Sequence, residues 1–167
     1  RNIFYPAYSI VNPSYRWAMS LLIDESVEVG LPAGECWAAL IDWESQRHWV
    51  VASKVTVGPA GARDVGGTMV ATSGWGRVAL ADPMEITVWA PPRRVELTHT
   101  GRLVHGQVTF EVTPVDDHRS RLRWAETLQS PVAVLRPLYA VGTYLFARMV
   151  RYSLRRFRSW APTRPVS

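Results

Sequence analysis

The sequence predicts an α+β domain in which a curved antiparallel β-sheet wraps around a long C-terminal α-helix. Three observations indicate this fold class. Short segments of alternating apolar and polar residues, separated by turn residues, fill the middle of the chain, as expected for an antiparallel meander. Two short helical segments follow the first strand, and a long segment with helical apolar spacing comes last. Only this last helix is long enough to cover the apolar face of such a sheet.

The first strand and the two short helices lie in one stretch, SVEVGLPAGECWAALIDWESQRHWV. Val27 and Val29 alternate with polar neighbours, which predicts a strand with one buried face. Pro32 ends this strand and suits the first turn of a helix that runs to about Asp42. A second short helix is predicted over roughly 44–49.

Three tryptophans lie in or between these two helices, and they either fill the core or wall the mouth of a cavity. For Trp37, which follows Cys36, we predict packing. Trp49 lies beside His48 at the end of the second helix, so we predict that this tryptophan contacts a ligand. Such aromatic area suits a flat polycyclic or acyl molecule, although large rings also fill cores without one.

The segment from Lys54 to Ser130 predicts the rest of the sheet as a series of short strands bounded by turns. One strand is expected to end in a turn at Pro83, within ALADP, and the next strand to follow in MEITVWA. In RRVELTHT, the alternation places Glu96 on the solvent face of the sheet.

A C-terminal helix ~37 Å long is predicted from about Leu135 to Trp160, with its arginines gathered on one side. The other, apolar side consists of Leu138, Tyr139, Gly142, Leu145, Phe146, Met149, Val150, Phe157 and Trp160. The missing side chain of Gly142 is expected to leave room for a ligand. The helix residues predicted to contact that ligand are Leu138, Tyr139, Gly142, Leu145 and Met149; the alternative is that they only fill the core.

This succession of motifs resembles the START-like (SRPBCC) superfamily, which includes the birch-pollen-allergen-like proteins and the polyketide cyclase/dehydrase and lipid-transport family. The resemblance extends from about Asp24 to Trp160 and is carried by VEVGLPAGECWAALIDWESQRHW, APPRRVELTH and GQVTFEVTPVDDHRSRLRWAE. Its most specific parts are Pro-Ala followed by Trp37, Asp42 with Trp49, and the strand pair that ends at Trp124. It implies a helix-grip fold around a mostly apolar pocket. Because the superfamily contains carriers, ligand sensors, cyclases and cofactor-bearing subunits, the fold alone does not choose an activity.

Two ionisable side chains are predicted to point into the apolar interior. Strand alternation turns Leu97 and His99 inward on one strand. It turns Trp124 and Glu126 inward on the last strand and Phe110 inward on the strand before it. Leu97, Phe110 and Trp124 are predicted to contact the ligand. A buried carboxylate must find a partner or have a raised pKa, because its ionisation is costly there. The pair could act as general base and orienter in enolising a ketone; alternatively, each lies in water at a strand end or meets a backbone or arginine partner.

The net charge of +5 is carried almost entirely by arginine, and arginines are concentrated near the C-terminus. Arg148, Arg151 and Arg155 share the polar side of the last helix and are the candidate contacts with an anionic membrane surface. The alternatives are a solvated face that complements the helix macrodipole and a nucleic-acid patch. Nucleic acid is disfavoured, because the sequence shows neither a helix-turn-helix nor an aromatic-basic strand motif.

The remaining features limit where the protein is expected to act and which metals or cofactors it is expected to hold. Apolar runs fall short of the ~20 residues that span a bilayer and no secretory signal pattern is visible, so we expect a cytoplasmic protein, with peripheral membrane contact left open. Cys36 is the only cysteine, the histidines lack zinc-site spacing and no dinucleotide motif occurs, so neither metal nor cofactor is expected.

One domain is expected over 23–161. Residues 1–22 are expected to be an N-terminal extension or a cloning remnant, and 162–167 a loose tail.

Three functions follow from these features. The favoured one is binding or transport of a lipid, polyketide or isoprenoid-like molecule in an internal cavity, without covalent chemistry. The second is a polyketide aromatase/cyclase in which His99 and Glu126, together with Tyr139, transfer protons while the cavity folds the substrate. The third is a membrane-surface interaction module that uses the arginine face. The identity of the ligand and the oligomeric state are left open.

Overall fold

A computed structural model describes residues 19–59, 61–75, 78–101, 105–130 and 136–164 of the chain. Its strands are β1 (Met19–Val29), β2 (Ser53–Val57), β3 (Thr68–Trp75), β4 (Val78–Ala90), β5 (Arg94–His99), β6 (His105–Asp116) and β7 (Arg119–Ser130). Its helices are α1 (Ala33–Leu40), a 3₁₀ helix (Trp43–His48), α2 (Arg136–Trp160) and a final 3₁₀ turn (Ala161–Thr163). The predicted fold class, with two short helices after the first strand and one long helix at the end, is confirmed.

The seven strands form one antiparallel sheet in the order β1-β7-β6-β5-β4-β3-β2. From β2 to β7 each strand pairs with the next one along the chain, and β1 closes the far edge by pairing with β7. The sheet is curled like half a barrel, and α2 lies against β1 and the first 3₁₀ helix on its concave side. None of the described helices has the combination of length and hydropathy that crossing a bilayer requires.

Two strands are longer than predicted. β1 begins at Met19 rather than Asp24, because its first residues pair with the end of β7. β4 continues through Pro83, where a turn was expected. A proline has no N–H to donate to a neighbouring strand, but the β4–β5 pairing begins only at the next residue, so no hydrogen bond of that pairing is lost. The Pro83 carbonyl still accepts the Thr100 N–H at 2.8 Å.

An aromatic cluster holds the C-terminal half of α2 on the sheet. Phe157 of α2 is fully buried, and its ring centroid lies 5.0 Å from that of Trp49. Trp49 lies edge-on to Trp124 of β7 at 6.1 Å, and Trp124 lies 5.0 Å from Phe110 of β6. Because each buried aromatic ring contributes roughly 1.5–3 kcal/mol through removal of its surface from water, this cluster is a main attachment of α2.

The convex face of the sheet carries a row of ion pairs. Arg123 of β7 binds Glu111 of β6 at 2.7 Å, and Arg94 of β5 binds Glu111 at 2.8 Å. Arg94 also binds Glu96, to which Gln107 donates a hydrogen bond of 2.6 Å. Glu96 lies on the outer face, as the alternation predicts, but the side chains of Arg94 and Gln107 cover it and leave it 9% exposed.

Candidate functional site

A cavity of about 120 Å³ lies between the concave face of the sheet and α2. Its apolar walls are Trp43, Val50, Met69, Ala71, Met84, Leu97, Val108, Phe110, Trp124, Phe146 and Met149. Its polar wall residues are Gln46, Ser53, Ser73, Asp82, His99 and Glu126. Pockets for drug-sized ligands start at ~300 Å³, whereas an apolar cavity of ~150 Å³ can bind benzene. The cavity therefore has room for about one ring of a ligand.

Asp82, His99 and Glu126 form a row in the cavity wall. His99 Nδ1 lies 2.7 Å from Asp82 Oδ2, and His99 Nε2 lies 3.6 Å from Glu126 Oε1. The other carboxylate oxygen of Glu126 accepts a hydrogen bond of 2.8 Å from Trp124 Nε1. The side chains of His99 and Glu126 are only 4% and 5% exposed. A buried imidazole is thus flanked by two carboxylates, one of which is oriented by a tryptophan.

A glycine is required on the strand between His99 and Glu126. His99 lies on β5 and Glu126 on β7, so β6 separates the two residues. The β6 residue opposite His99 is Gly106. Gly106 has a φ of +144°, and a Cβ at this position would collide with the Thr127 carbonyl oxygen. The glycine therefore allows β6 to pair closely with β7 at the level of His99.

The pKa of His99 is raised from 6.5 to about 9. Burial lowers this pKa, but the hydrogen bond to Asp82 and the negative charges of Asp82 and Glu126 raise it by more. The ring is therefore an imidazolium at neutral pH, and both of its nitrogens are donors. This reverses the predicted roles, because an imidazolium cannot act as a general base. His99 becomes the acid or hydrogen-bond donor, and Glu126 becomes the candidate base.

The cluster offers one buried donor to a ligand. Among the described residues, no acceptor lies within hydrogen-bonding distance of His99 Nε2. Its separation of 3.6 Å from Glu126 Oε1 is too long for a hydrogen bond. One oxygen placed beside both atoms would be within reach of each. A hydroxyl satisfies both, since it can accept from the imidazolium and donate to the carboxylate, whereas a carbonyl oxygen satisfies only the imidazolium.

The donor set is not arranged as a metal site. The two carboxylates contact opposite nitrogens of the His99 ring, so the three side chains do not converge on one ion. Over the ranges that the structure describes, no group of three His, Cys, Asp or Glu side chains is placed to hold a metal.

Of the residues predicted to contact a ligand, the cavity is lined by Leu97, Phe110, Trp124 and Met149, and the side chains of Leu138 and Tyr139 lie outside the described part of the structure. Trp49 does not line the cavity, because it is fully buried in the aromatic cluster. Trp43 lines it instead, and its indole nitrogen donates a hydrogen bond of 2.6 Å to the Ala62 carbonyl. Trp37 packs against Trp89 with ring centroids 5.4 Å apart, in line with its predicted packing role.

The buried side of α2 is narrower than predicted. Phe146 and Met149 line the cavity, but Leu145 is 59% exposed. Leu145 lies about 100° around the helix from Phe146. Gly142 is also exposed, and no described atom lies within 4 Å of the position that its Cβ would take. Gly142 and Leu145 are therefore not part of this cavity wall, and their contact with a ligand stays a prediction.

Asp82 is the member of the cluster that sequence reasoning missed. Because Pro83 suggests a turn, the alternation is not followed through this segment. The signal is nevertheless in the sequence, since Asp82, Met84 and Ile86 alternate in one register and Ile86 is fully buried. A continuous strand through Pro83 predicts that Asp82 points inward.

The arginines predicted to contact an anionic surface, Arg148, Arg151 and Arg155, are all exposed on α2. Arg151 Nε binds Glu25 of β1 at 2.7 Å. The guanidinium carbon of Arg148 lies 5.6 Å from the centroid of the Tyr144 ring, and its Nη1 donates a hydrogen bond of 2.9 Å to the Tyr144 hydroxyl. The contact of these arginines with a surface stays a prediction.

Comparison with known families agrees with this geometry. Residues 21–161 match the model of the family described as polyketide cyclase / dehydrase and lipid transport. The resemblance to the START-like superfamily is confirmed by this match and by the structural neighbours. A search of curated proteins gave no significant match.

Several solved structures share the fold at low sequence identity. The Zhui aromatase/cyclase of Streptomyces sp. R1128 is 16% identical with a TM-score of 0.69, covering 86% of this chain and 94% of that one. A protein from Thermus thermophilus is 12% identical with a TM-score of 0.70, covering 84% and 97%. Thalictrum flavum norcoclaurine synthase, in complex with dopamine and hydroxybenzaldehyde, is 13% identical with a TM-score of 0.58, covering 92% and 94%.

Proposed function

Because the chain belongs to the polyketide cyclase/dehydrase and lipid transport family, we propose that it binds a hydrophobic molecule whose hydroxyl- or carbonyl-bearing ring enters the cavity. Family membership supports binding of a hydrophobic small molecule or polyketide cyclase activity. The polar end of the cavity supports an oxygen-bearing ring as the part of the ligand that enters it. The observation that carries the proposal is the buried donor of His99 Nε2 beside Glu126 Oε1. A mostly apolar cavity with one such polar end favours a ligand that is apolar except at one oxygen.

The cavity volume supports a single ring as the part of the ligand that is enclosed. Any larger portion of a polyketide or lipid lies outside this cavity. Three methionines line the walls, and their flexible side chains can adapt to a ring slightly larger than the space between them. A fold relative, norcoclaurine synthase, holds dopamine and hydroxybenzaldehyde, which are single-ring molecules of this kind.

p-Cresol should bind the wild-type protein about tenfold more tightly than toluene, because only p-cresol has a hydroxyl that can pair with His99 and Glu126. The two probes otherwise share one ring and one methyl group. Binding can be followed by NMR of protein labelled with ¹³C at the methionine methyls. The resonances of Met69, Met84 and Met149, which line the cavity, should shift on titration.

His99→Gln should remove the preference for p-cresol and leave toluene binding unchanged. Gly142→Ala is the matched control, because this exposed residue does not line the cavity, so both affinities should stay at the wild-type level. The proposal is overturned if neither probe shifts the cavity methionines or if the two probes bind the wild-type protein equally well.

Cyclase activity is a second candidate function, favoured by an acid and a base that face the same cavity. In this scheme the His99 imidazolium donates to a ketone oxygen while the Glu126 carboxylate removes a proton from the adjacent carbon. As the enol carbon forms a bond to a second carbonyl carbon of the same molecule, the enol hydroxyl returns its proton to His99 and the new alkoxide takes the proton held by Glu126. Loss of water gives a cyclic enone, so no oxidant or cofactor is consumed.

2,6-Heptanedione is a suitable small probe, since this intramolecular condensation converts it to 3-methylcyclohex-2-enone and water. Wild-type protein should accelerate the reaction, and Glu126→Gln should abolish the acceleration while p-cresol still binds. Enone formation is followed by ultraviolet absorbance and confirmed by mass spectrometry. A rate equal to that of buffer alone would remove the cyclase candidate and leave the binding proposal intact.

A further inference from the structure

The exposed side of α2 carries large apolar and aromatic side chains among its arginines. Tyr144, Leu145 and Tyr152 are 58%, 59% and 55% exposed. About 100° of rotation per residue places them on the same side of the helix as three exposed arginines. We call this surface the arginine–tyrosine face; its members are Tyr144, Leu145, Arg148, Arg151, Tyr152 and Arg155.

The charge of this face is not balanced within α2. The helix contains six arginines and no aspartate or glutamate between Arg136 and Trp160. A surface helix that is merely solvated normally mixes both signs and forms pairs of opposite charge one turn apart. Among the described residues, Arg151 is the member of the face that forms an ion pair, with Glu25 at 2.7 Å.

The helix macrodipole explains only part of this pattern. Positive charge is favoured in the last turn of a helix, and Arg155 and its C-terminal neighbours lie near that end. The effect falls off within one turn, so it does not account for Arg148 or Arg151. Nor does it account for three exposed apolar and aromatic side chains, which gain nothing from contact with water.

We propose that the arginine–tyrosine face docks the protein on an anionic lipid bilayer. The guanidinium groups of Arg148 and Arg155 bind lipid phosphates, for which their planar donor sets are suited. The rings of Tyr144 and Tyr152 and the side chain of Leu145 enter the headgroup region, where amphipathic rings and short apolar side chains are stabilised.

The arrangement of the side chains favours a bilayer over an acidic protein. In protein interfaces, apolar residues form a continuous core and charged residues surround it at the rim. Here the apolar and cationic side chains alternate along the helix, from Tyr144 to Arg155. Alternation suits the headgroup region of a bilayer, where polar and apolar groups lie at the same depth. There, long arginine side chains can reach the phosphates while neighbouring rings are inserted.

The same helix connects this face to the cavity. Phe146 on the opposite side of α2, and Met149 at the border between the two sides, form part of the cavity wall. Docking would therefore place one wall of the cavity next to the bilayer, which is the source of many hydrophobic molecules. The docking proposal does not depend on the identity of the ligand, and its test needs no ligand.

The test is co-sedimentation of the full-length protein with vesicles. Wild-type protein should bind phosphatidylcholine vesicles containing 30% phosphatidylglycerol and should not bind pure phosphatidylcholine, and raising NaCl to about 0.5 M should release it. Arg148→Gln with Arg155→Gln should weaken binding roughly 30-fold, because each arginine near an anionic surface contributes about fivefold. Leu145→Ser with Tyr152→Ser should weaken binding at every salt concentration.

Arg63→Gln with Arg93→Gln is the matched control, because it removes the same charge from two exposed loop positions. This variant should bind the vesicles like wild type. Circular dichroism melting should show that all three double variants are folded.

The proposal is overturned if wild-type protein does not bind anionic vesicles, or if the loop variant loses as much binding as the arginine variant of the helix. It is also overturned if free inorganic phosphate at millimolar concentration displaces the protein fully. Equal binding to an acidic protein such as polyglutamate would overturn it as well.

Discussion

The wild-type protein should lose roughly 3 kcal/mol of unfolding free energy as the pH rises from 6.5 to 9 because of His99 alone. Its imidazole has an ordinary pKa of 6.5 in the unfolded chain and a pKa of about 9 between Asp82 and Glu126. Below pH 6.5 the ring is charged in both states, so the contribution is complete. Between the two values the unfolded chain releases its proton and the folded protein retains it, so stability falls as the pH rises.

Urea denaturation of wild type and His99→Gln at pH 6, 7, 8, 9 and 10 measures this effect. The two stability curves should be far apart at pH 6 and should converge above pH 9. Burial also raises the pKa of the Cys36 thiol, but any effect of this group on stability is the same in both proteins and cancels in the difference. Parallel curves would show that His99 is not held between two ionised carboxylates.

Phe157→Ala should lower the unfolding free energy by about 3–5 kcal/mol. The Phe157 side chain is fully buried, and its ring contacts Trp49 and Trp160 at centroid distances of 5.0 and 6.0 Å. Removing it leaves a cavity between α2 and the sheet that the large, rigid neighbouring rings cannot fill. Because the aromatic cluster holds α2 in place, p-cresol binding should weaken as well.

Tyr152→Ala is the matched control, since it removes an aromatic ring from the same helix at a position that is 55% exposed. This change should alter stability by less than about 0.5 kcal/mol. Urea midpoints and melting temperatures of both variants give the comparison. A loss below about 1 kcal/mol for Phe157→Ala would mean that α2 is attached to the sheet by other contacts.

The order and type of the elements could be predicted from the sequence because the signals are local. Apolar alternation at every second residue identifies a strand, and apolar spacing of three and four residues identifies a helix. The same local rule turned His99 and Glu126 toward the interior, where the structure places both side chains. Where a local signal was ambiguous, the prediction was wrong: Pro83 suggested a turn, and the alternation that includes Asp82 was not followed.

The strand residues of the cavity wall on β5, β6 and β7 could be predicted, but the helix residues could not be predicted in full, because they depend on how α2 and the first 3₁₀ helix are rotated against the sheet. A rotation of about 100° exchanges one helix residue for its neighbour. The structure accordingly exposes Leu145, lines the cavity with Trp43 and buries Trp49 in the core. No periodicity within one helix specifies which part of its apolar side meets the sheet.

From the residues alone one can therefore predict an antiparallel sheet, a long basic amphipathic helix after it, and an inward histidine and glutamate. The packing of the strands was needed to learn that His99 lies between Asp82 and Glu126, that their charges raise its pKa, and that about 120 Å³ remains open beside them. The difference between the two is the distance along the chain over which the interactions act. Side-chain direction along a strand follows from the backbone geometry of adjacent residues, whereas charge pairing across β4, β5 and β7 requires strands that are distant in the chain to settle in one register.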